Sequence, residues 1–112
     1  MVEDHTHPAR AQFAGEFVHE DEWYSFERSA RQPGMRVLAS LDESSYTPRE
    51  IFHDISMGDH PVVWSHCPGR GREFYSALGH TAASYPRPEQ QRMLEGAIAW
   101  AAGLAGDCPE PR

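Results

Sequence analysis

The chain has 112 residues, enough for one domain that buries somewhat under about 70% of its unfolded surface. Hydrophobic residues make up 39%, including five Phe, three Trp and four Tyr, a globular rather than disordered composition. The net charge is −7 and all ten basic residues are Arg, with no basic stripe. Nucleic acid and anionic membrane surfaces are therefore disfavoured as partners.

Residues 1–19 are polar, rich in His and without clean periodicity, and read as loop; Pro8 disfavours a helix through His7. Between Phe17 and Phe26, aromatic and acidic residues alternate loosely, as a helical turn or an extended segment. Arg31–Gly34 (RQPG) is a turn signal. Met35–Leu41 reads as a buried strand, because Val37, Leu38 and Ala39 form an apolar run too short for a typical helix. Asp42 and Glu43 follow at its end. A short helix is expected around Arg49–Ile55.

Pro61–His66 is the next strand and Arg72–Leu78 its partner, across the turn Cys67-Pro68-Gly69-Arg70-Gly71. A simple antiparallel register sets Trp64 beside Tyr75 and Asp59 near His80. Pro88 suits the first position of a closing helix. On that helix Met93, Leu94, Ala97, Ile98, Trp100, Ala101 and Leu104 share one face, with Arg92, Glu95 and Ala99 opposite. Gly103 or Gly106 ends it, and residues 107–112 read as a disordered tail. No apolar run approaches the roughly 18 residues that span a bilayer. The polar opening lacks a signal-peptide pattern, and the expected location is cytoplasmic.

Two cysteines, Cys67 in the turn and Cys108 in the tail, do not make a disulfide framework. Of the seven histidines, His5 and His7 lie one residue apart and could chelate a metal in an extended chain; the plainer reading is exposed loop. His19 and His53 read as surface residues, while His60, His66 and His80 sit at strand ends and are retained. Zinc or another divalent ion would draw on His66, His80, Asp42, Glu43 and Asp59. No HExxH or CxxC fixes that geometry, so the ligands would have to converge through the fold.

The acidic pairs Asp21–Glu22 and Asp42–Glu43 are each followed by a tyrosine, Tyr24 and Tyr46. Such carboxylates could do acid–base work on a sugar if about 5 to 9 Å apart. The plainer reading is a solvated acidic rim, with Trp23 and Tyr24 anchoring a loop. Aromatic rings beside carboxylates also suit a carbohydrate, which stacks its apolar face on a ring and gives its hydroxyls to acids.

Residues 59–103, the strand pair followed by Gly79-His80-Thr81 and the closing helix, resemble the last part of the trehalose-utilisation (ThuA-like) family. The resemblance continues through DEWYSF (Asp21–Phe26), VLASLDESSY (Val37–Tyr46) and HTHPAR near the start, with Arg10 where the family has Thr. It implies an α/β, flavodoxin-like, class I glutamine amidotransferase-like three-layer fold and a role in the metabolism of trehalose-type disaccharides. The family's opening strand, glycine-rich turn and first helices have no counterpart, so residues 1–106 correspond to the C-terminal portion of such a domain. A partner chain or a second copy could complete it.

In the amidotransferases a His-Pro-Glu ends the strand before the last helix, the His activating a cysteine and the Glu orienting it. His80 occupies a similar place, but Thr81 and Ala82 supply no carboxylate and Cys67 has no elbow. Glutaminase activity is not expected. His80 is either a structural histidine bonded to a backbone carbonyl or a ligand contact. Strand ends gather ligands in α/β folds. A surviving site would therefore hold His80 with Asp42, Glu43 or Asp59, flanked by His66 and rimmed by Trp23 or Tyr24. The rival readings are a metal-dependent glycoside hydrolase or isomerase and a non-catalytic fragment.

Overall fold

The structure, a computed structural model, describes residues 1–9, 15–46 and 54–108. The helix expected around Arg49–Ile55 falls mostly outside these residues, as does Arg10.

Three strands make one antiparallel sheet in the order β1–β2–β3, with β1 at Met35–Ser40, β2 at Pro61–His66 and β3 at Glu73–Ser76. Pro61 opens the central strand, a position in a ladder where a missing N–H is tolerated. Trp64 pairs with Tyr75 as expected, and their rings stack at 4.2 Å. Phe26 meets both edge-on, at 5.3 and 6.0 Å. β3 is shorter than the expected Arg72–Leu78, although Ala77 N–H still donates to Val62 O at 2.9 Å. The outer edge of β1 is covered by the first residues: Glu3 N–H donates to Leu38 O and Ser40 N–H to Met1 O. That contact removes an open edge.

The helix α1 runs over Pro88–Ala101, with Pro in its first turn and Glu89 beside its positive end. Its buried face is Gln90, Met93, Ala97 and Trp100, and Met93 and Ala97 join Ala9, Leu38, Val63 and Ala77 in the core. Because successive strand residues face opposite sides, α1 covers the Val63 side of the sheet and the Phe26 cluster the Trp64 side. The apolar stripe read from the sequence is corrected at its margin, since Ile98 is 69% and Leu104 82% exposed. The cause is Gly96. A Cβ there would strike the Pro8 carbonyl and lie 2.6 Å from Ala9 Cα. Close contact with that backbone turns the buried face toward Met93, Ala97 and Trp100.

Two further readings are corrected. His7 is not an exposed loop residue: it is fully buried, 4.8 Å from the Trp100 ring, and its Nδ1 accepts the Ala9 N–H. Cys67 and Cys108 form a disulfide with Cα atoms 6.2 Å apart. Asp107 O accepts the Trp100 indole N–H at 3.0 Å. Residues 107 and 108 are thus tied to the domain rather than frayed.

Candidate functional site

The segment after residue 15 has no regular structure, yet one side chain fixes it to the rest. Asp21 has a fully buried carboxylate. Its Oδ2 accepts Gly79 N–H at 2.7 Å and bonds His19 Nε2 at 2.8 Å, while Oδ1 accepts the N–H groups of His80 and Glu22 at 2.9 Å each. Burial alone would raise its pKa; the backbone donors of Gly79 and His80, then His19, outweigh that and hold it below the usual range. Gly79 has φ 109°, and a Cβ there would lie 2.6 Å from the Tyr85 hydroxyl. Only glycine lets this turn present its N–H groups to Asp21.

With Asp21 anchored, the segment forms one wall of a cleft of about 790 Å³. Phe17, His19, Asp21 and Trp23 line that wall, Asp42 and Tyr46 line the other, and Val62, Val63 and Leu78 also line the cleft. Glu16 and Glu20 add further carboxylates, and no arginine is among the described lining residues. Asp42 keeps one oxygen on Ser44, whose N–H and hydroxyl it accepts at 3.0 and 2.6 Å, capping the 3₁₀ turn Glu43–Ser45.

Behind Tyr46 lies a second anchor. His60 is 1% exposed; its Nε2 bonds Tyr24 O and its Nδ1 bonds Glu43 Oε2, each at 2.8 Å. The Tyr46 hydroxyl lies 3.3 Å from the same Nδ1. Glu43 also accepts the N–H groups of Met57 and Gly58 at 2.6 and 2.9 Å. The Met57 donor, then His60, holds its carboxyl below the usual range.

The residues singled out in the sequence take separate places. His80 Nε2 bonds Glu22 at 2.9 Å and not a backbone carbonyl; its ring is 48% exposed. Asp59 belongs to Arg31, which also holds Glu3, so the register that put Asp59 near His80 gives it a different partner. His66 lies 3.8 Å from Glu73, beyond hydrogen-bond reach. Trp23 and Asp42 line the cleft; Tyr24 is 42% exposed and contributes its carbonyl to His60. Glu43 serves His60 from beneath. Among the described residues no group of three or more His, Cys, Asp or Glu is placed to hold a metal ion.

The sequence reading placed Asp21 in an acidic rim but missed its contact with the Gly79–His80 turn, and it missed His19 and the His60–Tyr46 contact. The Asp21–Gly79 contact joins residues 58 positions apart and the His60–Tyr46 contact residues 14 apart, and no local pattern marks either.

The elements that meet here are the ones that carried the resemblance: Asp21 from DEWYSF, Gly79 and His80 from the Gly-His-Thr, and Asp42 to Tyr46 after β1. No curated protein and no solved structure matches the chain. A family model described as trehalose utilisation matches residues 1–101. Asp21 thus ties together the signature elements of a match that takes in all but the final turns, and the chain belongs to the ThuA, trehalose utilisation, family.

Proposed function

We propose that this domain binds a neutral disaccharide of the trehalose type in the cleft beside Asp21, within sugar metabolism. The observation that carries this reading is the lining: Trp23 and Tyr46 offer ring faces, and Asp42, Glu16 and Glu20 offer carboxylates. Sugars stack their C–H faces on rings and donate hydroxyls to carboxylates. A volume of about 790 Å³ lies in the range of small-molecule sites. The acidic lining repels phosphate, which favours a free over a phosphorylated sugar. The family match supports the sugar class, and a flavodoxin-like, three-layer arrangement is proposed from that match alone, the described residues forming a small antiparallel sheet covered by α1.

Glutamine hydrolysis does not fit: His80 has no orienting carboxylate at Thr81 or Ala82, and Cys67 is held in a disulfide. Among the described residues no helix is long and apolar enough to cross a membrane. Disulfides are rare in the cytosol, so the Cys67–Cys108 bridge favours an oxidising compartment over the cytoplasmic location read from the sequence.

Calorimetric titration with trehalose, maltose and trehalose 6-phosphate tests the reading. Binding of the free disaccharides that is lost in Trp23→Ala is expected. Tighter binding of the phosphorylated sugar, or none of any, contradicts it.

A further inference from the structure

Beyond α1 the chain folds back along the end of the helix. Gly103 N–H donates to Trp100 O and Leu104 N–H to Ala99 O, which closes the helix. Residues 105–108 then lie along Trp100. Its indole N–H donates to Asp107 O at 3.0 Å. The Gly106 backbone passes so close that a Cβ there would lie 3.2 Å from the indole Cδ1 and 2.8 Å from Pro8 Cγ. This tail covers the N–H edge of Trp100 and the ring of Pro8.

Little but the Cys67–Cys108 bridge holds it there. Among the described residues, none of the N–H groups of 105–108 donates to a backbone acceptor. Arg72 Nη1 reaches Ala105 O at 3.4 Å and Gly106 O at 3.2 Å, yet its shortest bond, 2.8 Å, is to Trp100 O within the helix. Gly106 and Asp107 are exposed, and none of residues 105–108 joins the core cluster. Segments with few buried contacts and exposed hydrogen bonds open first. The bridge ties this one to the β2–β3 turn, with Cα atoms 6.2 Å apart across 41 residues. The bonds that close α1 involve neither cysteine, so the helix end stays capped when the bridge opens.

We propose that the Cys67–Cys108 bridge is a redox latch. Its reduction frees residues 105–108 and uncovers Trp100 and Pro8, while the sheet, α1 and the cleft stay in place. The co-reactant is a dithiol. One of its thiolates attacks a bridge sulfur, forming a mixed disulfide and expelling the other cysteine as a thiolate; its second thiol then displaces the remaining protein sulfur. The bridge gains two electrons and two protons, and the dithiol leaves as a disulfide. The latch is closed where disulfides persist and open in reducing surroundings. Cys67, Arg72, Trp100 and residues 105–108 are not among the described residues lining the cleft, so this inference stands apart from the sugar reading.

The test uses the whole ¹⁵N-labelled protein, purified without reductant and then treated with excess dithiothreitol. Reduction should drop the heteronuclear NOE of residues 105–107 to free-tail values. The Trp100 indole N–H should exchange with solvent about 3- to 10-fold faster, the worth of one neutral hydrogen bond. The Ala77 amide, which donates to Val62 O in the sheet, should keep its protection. Reoxidation with glutathione disulfide should restore the first signals, and a Cys67→Ser, Cys108→Ser double variant should show the reduced ones without reductant. A bridge that dithiothreitol cannot open in the folded protein overturns the proposal, as do an unmoved tail and indole once both thiols are free. Loss of Ala77 protection together with the tail also overturns it, because the bridge is then a staple of the whole fold. If the double variant does not fold, the unaltered protein under dithiothreitol decides.

Discussion

Asp21 Oδ1 accepts the backbone N–H of His80 at 2.9 Å across 59 residues of chain, and its Oδ2 accepts that of Gly79 at 2.7 Å. One carboxylate therefore spans the irregular segment and the turn that leads into α1. The cleft wall depends on it, because Phe17 to Trp23 have no strand or helix to hold them.

Replacing Asp21 by Ala should cost about 2 to 5 kcal/mol, since it strands buried N–H donors. Asp21→Asn should recover only part of this, because the amide turns one acceptor into a donor facing other donors. Urea midpoints of the three proteins check the order. Equal midpoints would show that the anchor is dispensable.

Gly96→Ala should destabilise the protein by about 1 to 3 kcal/mol, although Ala is the better helix former by about 1 kcal/mol. The added methyl meets the Pro8 carbonyl and Ala9 Cα. Trp100→Ala should cost about 3 to 5 kcal/mol, as a 2% exposed Trp leaves a cavity. Ile98→Ala, at an exposed position, should stay within about 0.5 kcal/mol. Thermal melts that rank Ile98 beside Trp100 would contradict the orientation of α1.

Acid should weaken the fold through His7 before the carboxylates respond. Burial first, then the positive charges of Arg36 and Arg72, lowers its pKa from the ordinary 6.5 to about 4, with Asp4 opposing. The folded state thus binds fewer protons than the unfolded one between these values. Stability is fully present above pH 6.5 and falls as the pH drops toward 4. His7→Phe should flatten the dependence between about pH 6.5 and 5, above the range where carboxylates contribute. Unfolding curves at fixed pH values across that window check it; an unchanged slope in the variant contradicts the buried, neutral state of His7.

The Cys67–Cys108 bridge closes a 41-residue separation, and the chain-entropy argument gives it about 2 to 4 kcal/mol. Reduction should lower the unfolding midpoint by a corresponding amount and release two thiols per chain. A protein purified without reductant that shows two free thiols in the folded state would contradict the bridge.

What was legible in the sequence was local. Pro61–His66, the Trp64–Tyr75 pairing and a helix opening at Pro88 follow from apolar runs, a short turn and proline stereochemistry acting over a few residues. What was not legible depended on residues far apart. The buried face of α1 is set by the backbone of Pro8 and Ala9 against Gly96, so Ile98, apolar and on the expected stripe, ends in solvent. His7 and His19 read as surface residues because a histidine's burial is decided by what packs on it: Trp100 and Phe74 for the first, Asp21 and the cleft wall for the second. The family elements include segments that meet at the cleft. They did not indicate that Asp21 rather than Asp59 would meet the Gly79–His80 turn.

The central claim is that the cleft beside Asp21 takes a neutral disaccharide. Amide and indole chemical-shift mapping during a trehalose titration tests it most directly. The account predicts saturable shifts at residues 16–23 and 40–46, including the Trp23 indole, with α1 residues such as Arg92 and Glu95 unmoved. Shifts confined to the neighbourhood of His66 and Glu73, or no saturable shift at millimolar trehalose, would contradict it.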